Sequence, residues 1–253
     1  MQLVRYNYCE SKKQHTLKDV LIYAPTIVWV KKGQKLVFWR GQTLEFTKDF
    51  WFVTSGNQHF SFSNKLENGL FVSESLSFYS HPSVEYIDIS KRNGLKNNLV
   101  PLISIDKTMA FLFDSLASMK DLDNFVQEEI LNTFYLHLAR SGYLHYLFVQ
   151  KDSISERVVR ILSVDPGKNY NIEYVANCLG FSRATLARKL AKENTSFRKI
   201  QIDIRMTYSL CLLRKSPVND VAIYVGYSSI NRFCQRFKIQ FGLTPYEYIK
   251  LSL

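Results

Sequence analysis

The sequence is poor in residues that build cross-links, metal centres or reactive sites. Its 253 residues include four cysteines and five histidines. Cys9, Cys178, Cys211 and Cys234 form no C-x-x-C pair, and no two have metal-ligand spacing. This excludes a disulfide framework or zinc site of ordinary design. The last three fall in expected helices, where a free cysteine behaves as a small apolar residue, and a reducing, cytoplasmic setting suits them. His15, His59, His81, His137 and His145 supply no H-x-H or H-E-x-x-H pattern, so no metal is expected. His137 and His145 share a helical face by spacing and read as ordinary histidines. G-x-S-x-G, G-x-x-x-x-G-K-[ST] and G-x-G-x-x-G are all missing, and no catalytic residue or enzyme activity is assigned. No run reaches the ~18 apolar residues of a membrane span. The best candidate, Asp19–Val30, is short and broken by Pro25. The first eight residues lack the apolar core and small-residue cleavage site of a signal peptide.

Apolar residues are plentiful at 46%, with 14% aromatic, enough for a packed core. The formal charge is +11, and it is unevenly placed. Residues 151–253 hold 17 Lys+Arg against 8 Asp+Glu, whereas residues 1–150 hold 16 against 14. A basic half joined to a near-neutral half fits one part that meets a polyanion and another that does something else. Charge alone does not separate that reading from a solvated basic surface.

Residues 1–100 read as β-rich. Short segments such as Leu21–Tyr23, Ile27–Val30, Lys35–Trp39, Phe50–Val53 and Leu70–Val72 are β-branched and aromatic. Turn-like stretches separate them, including Lys32–Gln34, Arg40–Gln42, Ser55–Asn57 and Glu67–Gly69. This spacing predicts a small barrel or sandwich. Lys91–Asn98 reads as a loop. From Asp106 the period changes: Met109, Leu112, Phe113, Leu116 and Met119 follow helical spacing. So do Phe125, Ile130, Phe134 and Leu138, then Leu144, Leu147 and Phe148. Residues 101–150 are therefore a helical connector, whose apolar faces pack within the chain or form a homodimer seam through 106–149. The polar Gln150–Ser153 marks a boundary.

Residues 151–253 repeat a pattern. Ile172, Val175, Ala176 and Leu179 give one apolar face, and Gly180 follows at a position suited to positive φ. Ser182 then N-caps a helix that turns Leu186 and Leu190 inward. Later, Val218, Val221, Ala222 and Val225 precede Gly226, Tyr227-Ser228 matches Phe181-Ser182, and Phe233 and Phe237 take the places of Leu186 and Leu190. A helix from Phe197 to Leu213 joins the copies, and Pro217 opens the next helix. Two helix–turn–helix units on a basic background point to major-groove binding of double-stranded DNA.

These residues resemble the AraC/XylS family of bacterial transcription regulators over about 155–250. The likeness rests on Val221-Ala222-x-x-x-Gly226-Tyr227-Ser228, Phe233-x-x-x-Phe237-Lys238 and Phe241-Gly242-Leu243-Thr244-Pro245-x-x-Tyr248. It rests also on Val175-Ala176-x-x-x-Gly180-Phe181-Ser182 with Leu186-x-Arg188-x-Leu190. The order of parts resembles the family's enteric virulence and stress regulators. The resemblance implies an α+β chain with a metal-free, cupin-like β-barrel, a helical connector and a double helix–turn–helix domain. Three positions depart from the family pattern: Asn194 for a glycine, Ser209 for an alanine, and Gln235 for an arginine. Asn194 still tolerates the left-handed region.

The implied function is a sequence-specific regulator, an activator working with RNA polymerase. By motif position, Ala184, Ala187 and Arg188 read bases in the first unit, and Ile230, Asn231, Cys234 and Gln235 in the second. Arg188 can bind guanine O6 and N7 together, while Gln235 favours adenine. Ser182, Arg183, Lys189, Ser229, Arg232, Arg236 and Lys238 fall to phosphate contacts. Arg205 reads as a buried structural arginine. The aromatic strands around Trp29, Phe38, Trp39, Trp51 and Phe52 either enclose an organic or fatty acid, with Lys31, Lys32 or Lys35 at its acid group, or form a filled barrel. Control through a protein partner is a competing reading. So is a DNA-acting enzyme with a similar module, but that enzyme would need a cysteine cluster where the N-terminal half has only Cys9.

Overall fold

The computed structural model describes residues 3–39, 41–94, 102–149 and 153–252. Arg40, the segment 95–101 and the boundary residues Gln150, Lys151 and Asp152 lie outside them, as does half of the expected 91–98 loop.

Nine strands run β1 Val4–Ser11, β2 His15–Ile22, β3 Thr26–Lys32, β4 Gln34–Trp39, β5 Gln42–Phe46, β6 Phe50–Thr54, β7 Gln58–Lys65, β8 Phe71–Phe78 and β9 Leu102–Ser104. They form two sheets, ordered β1-β8-β3-β6-β9 and β2-β7-β4-β5. The architecture is thus a pair of sheets, not the closed barrel expected. Nor are residues 1–100 all β: Ser83 caps a helix, α1, at Val84–Asn93. That helix takes in residues 91–93 of the expected loop.

Eleven helices are present among the described residues. After α1 come α2 Lys107–Ser118, α3 Asn124–Arg140, α4 Leu144–Leu147 and α5 Ile154–Ser163. They are followed by α6 Ile172–Cys178, α7 Arg183–Lys192, α8 Phe197–Leu212, α9 Val218–Tyr224, α10 Ile230–Phe241 and α11 Pro245–Ser252. None is long and apolar enough to cross a membrane.

The chain divides into two compact units. One comprises residues 1–14, 24–56 and 63–150, and the other residues 15–23, 57–62 and 151–253. In the first unit, α2 starts at Asp106, whose carboxylate accepts the Met109 amide at 2.7 Å. Helical spacing then turns Met109, Leu112, Phe113 and Leu116 inward. Strand β6 is buried along Trp51–Thr54, as a central strand covered on both faces would be. Trp51 meets Phe113 at 5.5 Å and Phe134 at 6.0 Å, and Phe78 stacks on Phe134 at 5.7 Å. Phe125, expected on the inner face of α3, is 68% exposed. His137 and His145 sit on different helices, bonded to Asp106 and Ser90.

The second unit has two hydrophobic clusters, and two segments serve both. Helix α8 gives Ile200 and Ile204 to a cluster with Val175, Leu186 and Leu190, and it gives Met206 and Leu210 to one with Val221, Phe233 and Phe237. Strand β2 likewise gives Leu21 to the first, and Leu17 and Val20 to the second.

Candidate nucleic-acid interface

Both turns in the second unit are built from the same bonds. After α6 the Gly180 amide donates to Asn177 O at 3.0 Å and the Phe181 amide to Ala176 O at 2.9 Å. After α9 the Gly226 amide donates to Ile223 O at 2.9 Å and the Tyr227 amide to Ala222 O at 2.9 Å. This Schellman pattern needs a left-handed residue after the helix. Gly180 and Gly226 supply it at φ 72° and 87°. The second helix of each copy then opens on a serine cap. Ser182 Oγ accepts from the Thr185 amide at 3.2 Å, and Ser229 Oγ from the Arg232 amide at 3.4 Å. Asn194, in the glycine-like position, takes φ 56°. Ser209 is fully buried and donates to Met206 O at 2.6 Å.

Burial sorts the two reading-helix candidates into an inner and an outer face. On α7, Leu186 and Leu190 are buried, while Ser182, Arg183, Ala184, Ala187 and Arg188 are exposed and Lys189 is half-buried. On α10, Phe233, Phe237, Gln240 and Phe241 are buried. Ile230, Asn231, Arg232, Gln235 and Lys238 are exposed, and Ser229, Cys234 and Arg236 are half-buried. Burial pushes the Cys234 thiol above its ordinary range, which disfavours a reactive thiolate. Cys178 and Cys211 are exposed, not packed as small apolar residues.

The basic residues differ in what holds them. Arg183 Nη1 pairs with Glu173 Oε1 at 2.9 Å, both well exposed. Lys189 Nζ lies 5.1 Å from the Phe181 ring centre. Arg236 Nη2 approaches Asp203 Oδ1 at 3.6 Å. Arg188, Arg232 and Lys238 make no ion pair among the described residues. Arg205 is half-buried: its Nη2 donates to Lys168 O at 3.3 Å and Asn169 Oδ1 at 3.1 Å. A methyl group on Gly226 would meet its Nη1 at 2.7 Å. Burial lowers its pKa, as it must for a cation taken from water.

The three lysines offered as alternatives at a ligand mouth lie in different settings. Lys31 and Lys32 end β3, where the register against β8 shifts between Val30 and Lys32. Lys31 pairs with Glu74 and Asp114, each at 3.3 Å, and lies 3.1 Å from the Trp29 ring centre. Lys35 belongs to β4 in the other sheet and is 7% exposed, with Nζ donating to Asn64 Oδ1 at 2.7 Å. Of the expected aromatic wall, Phe38 is 44% exposed. Trp29 and Trp51 pack on Phe113, and Phe52 stacks on Phe46. Asn64, which sequence reasoning passed over, stands out because its Nδ2 is buried with no hydrogen-bond partner. No group of three or more metal-ligating side chains occurs among the described residues.

Comparison with known proteins places this geometry. A family described as a helix-turn-helix domain matches residues 175–250. The porin thermoregulatory protein EnvY of Escherichia coli K12 is 34% identical over 105 residues, 41% of this chain and 42% of that protein. The transcriptional activator PerA of E. coli O127:H6 is 32% identical over 104 residues, covering 40% and 38%. The HTH-type transcriptional regulator YdeO of E. coli K12 is 27% identical over 152 residues, covering 60% and 59%. The chain thus spans about two to three fifths of the length of these relatives. In fold, it is similar to unsaturated fatty acid-bound ToxT of Vibrio cholerae, with a TM-score of 0.66 at 18% identity over 100% of this chain and 96% of that one. The paired turns, serine caps and matched residues 175–250 make this part of the chain a helix-turn-helix domain, similar to those of the regulators named above.

Proposed function

We propose that the chain is a sequence-specific DNA-binding transcription regulator that inserts α7 and α10 into successive major grooves. The observation that supports this best is the repeated turn and cap geometry, which leaves Ala184, Ala187 and Arg188 on one outer face and Asn231 and Gln235 on the other. Phosphate contacts by Ser182, Lys189, Ser229, Arg232 and Lys238 supply affinity, and the base readers supply preference. Arg183 joins them because an exposed ion pair holds it weakly. The protein acts by binding, not turnover, in the cytoplasm, as an activator that recruits RNA polymerase. A homodimer through 106–149 fits the outer faces of α2 and α3 and the turn between them, where Phe111 is 70%, Phe125 68% and Leu122 47% exposed.

The test is selection of duplexes from a random pool by the full chain. Arg188→Ala is expected to weaken the selected site by ~1–3 kcal/mol and relax preference at one base pair. Unchanged affinity and preference would remove α7 from the groove.

A small organic or fatty acid effector is favoured by a second observation. Lys35 Nζ and the partnerless Asn64 Nδ2 are adjacent buried donors, and a carboxylate would satisfy both. Native mass spectrometry with added oleate is expected to show one bound copy, lost in Asn64→Leu. No mass shift would leave control to a protein partner.

A further inference from the structure

Arg236 stands apart from the other basic residues of α10. Its guanidinium faces Asp203 of α8, the only buried aspartate among the described residues, whose side chain is 7% exposed. Asp203 also has His59 of β7 at 3.9 Å, and that imidazole in turn lies 2.9 Å from Asp19 of β2. All four residues belong to the helical unit. Burial pushes the Asp203 carboxyl above its ordinary range, against the pull of His59, Arg236 and Lys199. A carboxylate in that position depends on its cations. Drawing Arg236 out to a phosphate would leave Asp203 buried beside a half-exposed imidazole, and breaking a buried pair from one side is costly.

Arg236 makes the one ion pair of α10 among the described residues, beside the buried Phe233 and Phe237. Gln240, one turn on from Arg236, is 4% exposed, and neither side-chain amide atom has a hydrogen-bond partner. Successive helical residues project ~100° apart. Arg236 therefore lies ~100° around the same rigid helix from the exposed Gln235. Holding the one sets where the other points.

We propose that Arg236 is a positioning residue rather than a phosphate contact: Asp203 clamps it, and the clamp sets the roll of α10 and so the placement of Asn231 and Gln235. The proposal rests on the DNA-binding reading above.

Salt dependence separates the two roles. A lost phosphate contact flattens the log–log salt slope by about one unit on every sequence, whereas a lost positioning contact does not. The full chain is titrated with a duplex it selects from a random pool and with a scrambled duplex of equal length. R236Q and D203N are each expected to weaken the selected duplex about tenfold, with the scrambled duplex and both salt slopes little changed. The double variant is expected to bind no worse than R236Q, because the two act as one unit. Should R236Q fail to fold, the double variant, which strands no buried charge, carries the comparison with D203N. The proposal is overturned if R236Q flattens the slope on both duplexes while D203N binds like the parent, or if the two losses add. A parent chain that enriches no duplex overturns the DNA-binding reading itself; enrichment with independent variants overturns only the clamp.

Discussion

The two helix–turn–helix copies share their turns but differ in what lies behind them. In the first, a methyl group on Gly180 would meet nothing within 4 Å, so the glycine answers to φ alone. In the second, Gly226 answers both to φ and to the Arg205 guanidinium beneath it. The first copy is filled by the aliphatic Leu186 and Leu190. The second carries an aromatic chain, Phe233 to Phe237 at 5.8 Å and Phe237 to Phe241 at 4.7 Å. The second helix of each copy also pairs one arginine with an acid, exposed Glu173 for Arg183 and buried Asp203 for Arg236. The same backbone motif thus sits on a plain aliphatic support in one copy and on an interlocked aromatic and charged one in the other. Rigidity in the second copy is built from side chains, not from the turn.

The contrast can be broken most strongly in the core. Phe237→Ala removes a fully buried ring and is expected to cost ~3–5 kcal/mol, against ~2–5 kcal/mol for Leu190→Ala. Urea unfolding compares them, and a smaller loss at Phe237 would deny the aromatic chain its role. Next come the turns. Gly180→Ala is expected to cost ~1–2 kcal/mol from left-handed strain alone, and Gly226→Ala more, since Arg205 must also move. Equal losses would mean that Arg205 yields freely.

A third experiment uses pH. Glu193, just after α7, accepts the Ile154 and Ser155 amides at 2.8 Å each. Its partial burial raises the pKa, but those bonds and nearby Lys189 outweigh it, so the carboxyl lies below its ordinary range. A depressed carboxylate stabilises the fold above its unfolded-state pKa, and that contribution is lost as pH falls through the folded value. Glu193→Gln is therefore expected to lower the urea midpoint at neutral pH and to converge on the parent in acid. A gap that persists in acid would deny the charge its part. The smallest effect belongs to the surface: Lys238→Ala is expected to weaken all duplexes alike and to flatten the salt slope by about one unit.

The helical unit was legible because its period, turn glycines and serine caps are local signals that agree with one another. Strand β2 was not. Its buried residues Leu17 and Val20 are separated by two exposed ones, and Asp19 between them takes φ 47°, which interrupts the two-residue alternation a strand reader looks for. Helix α1 escaped because only Ile87 and Ser90 are buried along it, too sparse an apolar stripe to register. The candidate site divides in the same way. The outer faces of α7 and α10 follow from spacing, but the pairing of Arg236 with Asp203 does not. The partners lie on different helices, and charge counting treats them as two unrelated surface ions. Lys31, Lys32 and Lys35 are close in sequence, but the change of sheet between β3 and β4 that separates Lys35 from the other two is not a local signal.

Strand β2 also sets an order in time. Leu17, Val20 and Leu21 are synthesised more than two hundred residues before Phe233, Phe237 and Phe241, in the cluster that Leu17 and Val20 join. At the pace of translation that interval is on the order of tens of seconds. Until it has passed, the helical unit lacks part of its wall, and the strand shows its apolar side chains to whatever else is near. Closing so long a loop is slow, so the helical unit finishes folding only when strand β2 and helix α10 are both present.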